Sequence, residues 1–232
     1  MRHHRGMLVS PRDSMLYLLE PKDVEAGLPD FIKVYQAPAE RVVRWAHDYL
    51  CQPHPALGRE GPVCPYTEPS LKRGLFWLTV YPGPDPKLEE VSAVVARYRE
   101  WFLELEPAAG KETEYKAILI LFPDLAPARA PGVIDALQAA LKPQFVAAGL
   151  MIGQFHAGCQ EPALWNRDFR PLRSSVPLLA IRHMVRTDAA FLIKDAGSLA
   201  SYLRRFGGDV PGKLLPVVRD AALRFGLEDP EA

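Results

Sequence analysis

The chain has no excess charge of either sign, too few cysteines for a framework of bridges, and no apolar run long enough to cross a bilayer. Its 28 Lys and Arg residues balance 28 Asp and Glu, which removes the global basic field that nonspecific nucleic-acid binding requires. Nucleic acid is therefore not an expected partner. The 3 cysteines, Cys51, Cys64 and Cys159, fit neither a zinc-ribbon spacing nor the even count of a secreted disulfide scaffold, so reduced thiols are expected. No segment reaches the roughly 18–20 apolar residues of a membrane span, and the Met-Arg-His-His-Arg start is not followed by the apolar core of a signal peptide. A cytoplasmic protein with no membrane partner is the expectation. A glycine-rich phosphate loop and a Ser-His-Asp pattern with a nucleophile elbow are also missing, which takes support from nucleotide-dependent and serine-hydrolase chemistry.

Proline is what the chain has in quantity. Its 23 prolines fall between apolar segments, so the connections should be rigid and able to shape a pocket. Residues 1–37 carry turn signals and no clean period and are expected to be an N-terminal arm of uncertain order. Residues 38–232 are expected to form one α/β domain that includes the C-terminal helices. Helical spacing over 39–50, 87–104 and 133–148 predicts amphipathic helices, with Gly149 closing the third. Aromatic and β-branched residues at 75–81 predict a buried strand. The unbroken apolar run 117–122 predicts a central strand covered on both faces. Residues 150–156 and 176–185 predict two more strands. Asp195 can cap a helix over 195–206, and 214–225 gives the last helix before an acidic tail. The order β-α-β-α-β-β-α implies an α/β fold, α+β being the alternative, with one sheet of about four or five strands and helices packed on it.

The chemistry-bearing residues concentrate in 155–184. Arg167, Arg170, Arg173, Arg182 and Arg186 follow one another closely, and guanidinium groups hold carboxylate or phosphate in two-point geometry. Arg182 lies in an apolar strand and, if buried, needs an anion. Pairing of these arginines with Asp168, Asp188 and other local acids is the plain alternative. His156 ends one strand and His183 lies inside the next, so antiparallel pairing can bring both near one pocket. Imidazole can serve there as ligand or as acid and base. Cys64-Pro65-Tyr66 resembles the start of a thioredoxin-type motif, but Thr67 stands where the resolving cysteine belongs, leaving Cys64 as a monothiol nucleophile, a thiolate ligand or a packed loop residue. Tyr66, Trp77, Phe155, Trp165 and Phe169 can wall an aromatic ligand, or simply fill the core.

The residues Pro62-Val63-Cys64-Pro65-Tyr66, the strands at 74–80 and 117–122, and the polar segment from Asn166 to Arg182 resemble, in order and spacing, the YqcI/YcgG family. The Gly-Leu-Met-Ile-Gly segment at 149–153 is similar to a smaller bacterial group of unknown function. The first resemblance implies heme and a heme-dependent oxygenase-like enzyme, hydroxylating nitrogen or performing a related oxidation on a small polar metabolite in specialised metabolism. It implies Arg170, Arg173 and Arg182 as anchors for heme propionates or a substrate carboxylate, with Cys64 and Trp165 beside the cofactor. His156 is the first choice of metal ligand, His183 the second and Cys64 the third, because Phe169 and Arg170 stand where that family's pattern has a histidine. A thioredoxin-like protein using Cys64 and a noncatalytic module binding an anionic ligand are the alternatives. A small-molecule substrate is the expected partner, and a homo-oligomer is compatible with the sequence.

Overall fold

The computed structural model describes residues 7–229 and the backbone of Arg2–His3. Residues 1, 4–6 and 230–232, which belong to the expected arm and acidic tail, lie outside the described residues. The chain opens with the short strands β1 (Arg2–His3), β2 (Leu8–Val9) and β3 (Tyr17–Leu18), joined as a 3-stranded antiparallel sheet. The helix α1 (Pro21–Ala26) follows, then a 3-10 turn and α2 (Gln36–Trp45), which continues as a π-helical turn over Ala46–Leu50. After α3 (Thr67–Lys72), the alternating core begins: β4 (Phe76–Val80), α4 (Leu88–Glu104), β5 (Ala117–Leu121), α5 (Ala136–Ala147), β6 (Leu150–Phe155) and β7 (Leu178–His183). The chain closes with α6 (Ala189–Leu192), α7 (Ala196–Phe206) and α8 (Leu215–Phe225). This is the expected α/β fold.

The central sheet has 4 strands in the order β4-β5-β7-β6, with β4 and β5 parallel and the other pairs antiparallel. Alternation along β5 explains its unbroken apolar run. Ile118 and Ile120 join Val95, Phe102 and Leu137 on one side, while Leu119 and Leu121 join Leu19, Val43 and Phe76 on the other. Both faces are covered, so neither needs polar residues. On α4, Val91, Val95, Tyr98, Trp101 and Phe102 are buried; truncating a buried aromatic such as Phe102 costs about 3–5 kcal/mol. Asp195 caps α7 as expected, accepting the Ser198 N–H at 2.8 Å. Gly149 ends α5 at φ 73, in the left-handed region.

Residues 7–37 depart from the expected arm of uncertain order. Leu18, Leu19 and Val24 are each fully buried. Leu19 pairs with Leu78 in an antiparallel bridge, its N–H and C=O both bonded to Leu78 at 2.9 and 2.8 Å. The segment therefore covers the outer edge of β4. The residues that do this are too few to leave a period in the sequence.

Candidate functional site

A cavity of ≈ 1100 Å³ runs beside β6 and β7. Its floor is the strand stretch 151–155 together with Ala180 and Arg182. One wall is the proline-rich connection through Gly58, Cys64 and Tyr66, and the other is the loop 161–165 ending in Trp165. Apolar side chains reach solvent around it: Trp165 is 48% exposed and Phe191 44%. Small-molecule sites combine such apolar walls with a few fixed polar groups.

Arg182 is the best anchored of those groups. Its Nη1 and Nη2 donate to the Asp188 Oδ2 and Oδ1 at 2.7 and 2.6 Å, and Asp188 also accepts the Val185 N–H at 2.8 Å. Burial opposes the guanidinium charge, but the Asp188 carboxylate more than offsets it, so the pKa of Arg182 lies above its ordinary value. The anion that Arg182 requires is thus supplied by the protein. The Cys64 thiol and Tyr66 phenol lie within electrostatic range of this guanidinium.

Lys116 also lines the cavity, and its residue is almost wholly buried. Its Nζ donates to the carbonyls of Phe102 and Leu105 at 3.0 and 2.8 Å. These are orphan acceptors at the end of α4, where a cation is favoured. Burial holds the Lys116 ammonium down to about 8.

The other expected site residues are divided. Cys64, Trp165 and Arg182 line the large cavity, but Arg170 and Arg173 do not. Those two flank a separate recess of ≈ 460 Å³ with Trp45, Tyr49, Asp168 and Phe169. Arg170 is turned back on its own loop, donating to the carbonyls of Arg167 and Phe169. The three arginines expected to act together therefore face two different spaces.

The convergence of His156 and His183 is corrected by the register. His183 pairs with Leu150, whereas His156 follows Phe155, which pairs with Leu178. The histidines sit at opposite ends of the β6–β7 ribbon, roughly 20 Å apart at about 3.4 Å per residue. Neither lines the cavity. His156 is fully buried, with Nε2 2.9 Å from the Asp135 Oδ1. His183 lies against the Phe102 ring at 5.1 Å, and both its ring nitrogens are buried without a hydrogen-bond partner. Burial, and then the charges of Lys116 and Arg205, hold His183 down to about 4.

The walls are tied to each other. Asn166 donates through Nδ2 to the Ala56 carbonyl at 2.8 Å, and His54 stacks on Phe169 with centroids 4.3 Å apart. Gly58, at φ +78, sits so close to the 161–165 loop that a Cβ there would lie 2.7 Å from the Trp165 carbonyl oxygen. Lys116, Asp135 and Gln154 were missed in the sequence. Gln154 had a signal, since it interrupts an apolar strand, as did Lys116 directly before the 117–122 run.

Among the described residues, no group of three or more His, Cys, Asp or Glu could hold a metal ion. Residues 39–215 match a family described as a domain of unknown function, DUF6875. No curated protein and no solved structure matches the chain.

Proposed function

We propose that this chain, which belongs to the DUF6875 family, binds a largely apolar small molecule with an anionic end in the cavity beside β6 and β7. The observation that carries this is the pairing of aromatic walls from Trp45, Phe155 and Trp165 with a fixed polar cluster at Cys64, Tyr66 and Arg182. Lys194 and Lys213 border the same space. They suit a carboxylate or sulfonate better than a cation. Anilinonaphthalene sulfonate, a planar apolar anion, tests the proposal. Saturable binding that is lost when Ala180→Trp fills the floor supports it. Binding that ignores this substitution, in a variant that still unfolds cooperatively, removes it.

Heme is the second candidate ligand, and one observation favours it: Cys64 lines the cavity, and a cysteine thiolate is an established heme ligand. The histidines do not fit that role in this cavity, since neither lines it. Bound heme would supply the oxygen chemistry of an N-hydroxylating enzyme, while Cys64 would hold its iron and the aromatic walls would cover its faces. Hemin titration distinguishes the two candidates. A Soret band that is lost in Cys64→Ala and kept in His156→Ala supports heme. Absence of the band leaves the apolar anion.

A further inference from the structure

The outer edge of β6 carries no strand among the described residues, and it runs along the inside of the cavity. In an antiparallel ribbon, alternate residues exchange hydrogen bonds with the partner strand while those between them point away. The Met184 N–H donates to the Gly149 carbonyl at 2.9 Å. That phase turns Met151, Gly153 and Phe155 toward β7, and it turns Leu150, Ile152 and Gln154 toward the open edge. The Ile152 carbonyl confirms the phase, because it accepts from the Gln138 Nε2 at 3.1 Å on the outer side.

This leaves the Ile152 N–H and both main-chain groups of Gln154 without a partner among the described residues. Ile152 and Gln154 are only 2% and 8% exposed, and buried backbone donors and acceptors are nearly always paired. The Gln154 side-chain amide lines the same space and is likewise unengaged. On the neighbouring face, Gly153 stands opposite Ala180, and the Phe155 ring leans over it, 3.3 Å from where a Cβ on Gly153 would lie.

We propose that the cavity ligand is peptide-like: an extended chain whose amides repeat at strand spacing and pair with β6 as an added strand. This rests on the cavity being a ligand site and names the class of ligand. Strand addition takes its affinity from main-chain hydrogen bonds, and the unpaired groups of the β6 edge offer these. Lys194 and Lys213 suit a free C-terminal carboxylate. A second copy of the chain is a poor occupant, because its own β6 edge is recessed behind residues 161–165 and 211–214, and two recessed edges cannot meet.

The test uses the full chain and degenerate hexapeptides with a free C-terminal carboxylate, followed by amide hydrogen exchange. The expected result is new protection at Ile152 and Gln154, with exchange slowed about tenfold at ten times the Kd. Two further pools, N-methylated at every second amide in the two opposite phases, should differ at least tenfold in affinity, because only one set of amides faces β6. No protection at millimolar peptide, or equal binding of the two methylated pools, overturns the proposal. Anilinonaphthalene sulfonate separates the failures. If it still enters the cavity, only the peptide-like ligand is lost; if it does not, the cavity reading falls as well.

Discussion

Arg182 and Asp188 meet fork to fork, with both contacts under 2.8 Å and Asp188 the more deeply buried partner. Asp188→Ala is expected to destabilise toward the lower end of roughly 3–5 kcal/mol, because the Arg182 side chain keeps 30% of its exposure. Arg182→Met combined with Asp188→Ala should recover much of that loss, since the uncompensated charge is gone. Urea unfolding of the three proteins decides it. A single Asp188→Ala variant as stable as the parent would mean that the pair carries no strain of isolation.

His183 makes stability depend on pH. Burial and the nearby cations hold its pKa at about 4, below the ordinary value near 6.5. The unfolded chain therefore takes up a proton near 6.5 that the folded chain refuses until about 4. The contribution is complete above 6.5 and is lost as pH falls through that window. Between pH 7 and 5 the parent should lose about 2 kcal/mol more than His183→Leu. Urea midpoints at the two pH values give the difference, and parallel slopes for both proteins would reject it.

Residues 7–37 should be needed for stability although the family match begins at residue 39. Leu19→Ala is expected to cost about 2–5 kcal/mol, the usual range for a buried leucine, because Leu19 is fully buried against the β4 side of the sheet. Thermal unfolding checks it. A change of under 1 kcal/mol would return the segment to the status of an arm.

Gly58→Ala should act on the cavity more than on the core. The new Cβ would meet the Trp165 backbone, and the positive φ adds its own strain, of order 1–3 kcal/mol. Relief comes from moving the 161–165 loop outward. The expected readouts are red-shifted tryptophan emission and weaker binding of anilinonaphthalene sulfonate. Unchanged emission together with unchanged binding would show that the loop does not lean on Gly58.

Where apolar pattern and local chemistry agreed, the fold was legible. The run 117–122 read as a doubly covered strand because each of its faces meets a different core cluster, and Asp195 read as a cap because a carboxylate accepts the third N–H of the helix that follows. Residues 7–37 did not read, because their strands are two residues long and their burial rests on isolated leucines. For the site, the demand of Arg182 for an anion was legible and Asp188 was among the acids named. The grouping was not. Whether Arg170 shares a space with Arg182, or His156 with His183, depends on loop path and strand register, which no local spacing encodes.

The bridge between Leu19 and Leu78 also bears on self-association. A sheet open at both edges can accept a strand on one side and present a fresh template on the other, so pairing can propagate from molecule to molecule. With β4 bridged by Leu19 and β6 recessed in the cavity, the sheet turns neither edge toward a second molecule. Loss of that bridge would bare the β4 edge as a template, and concentration-dependent self-association of such a variant would be the sign of it.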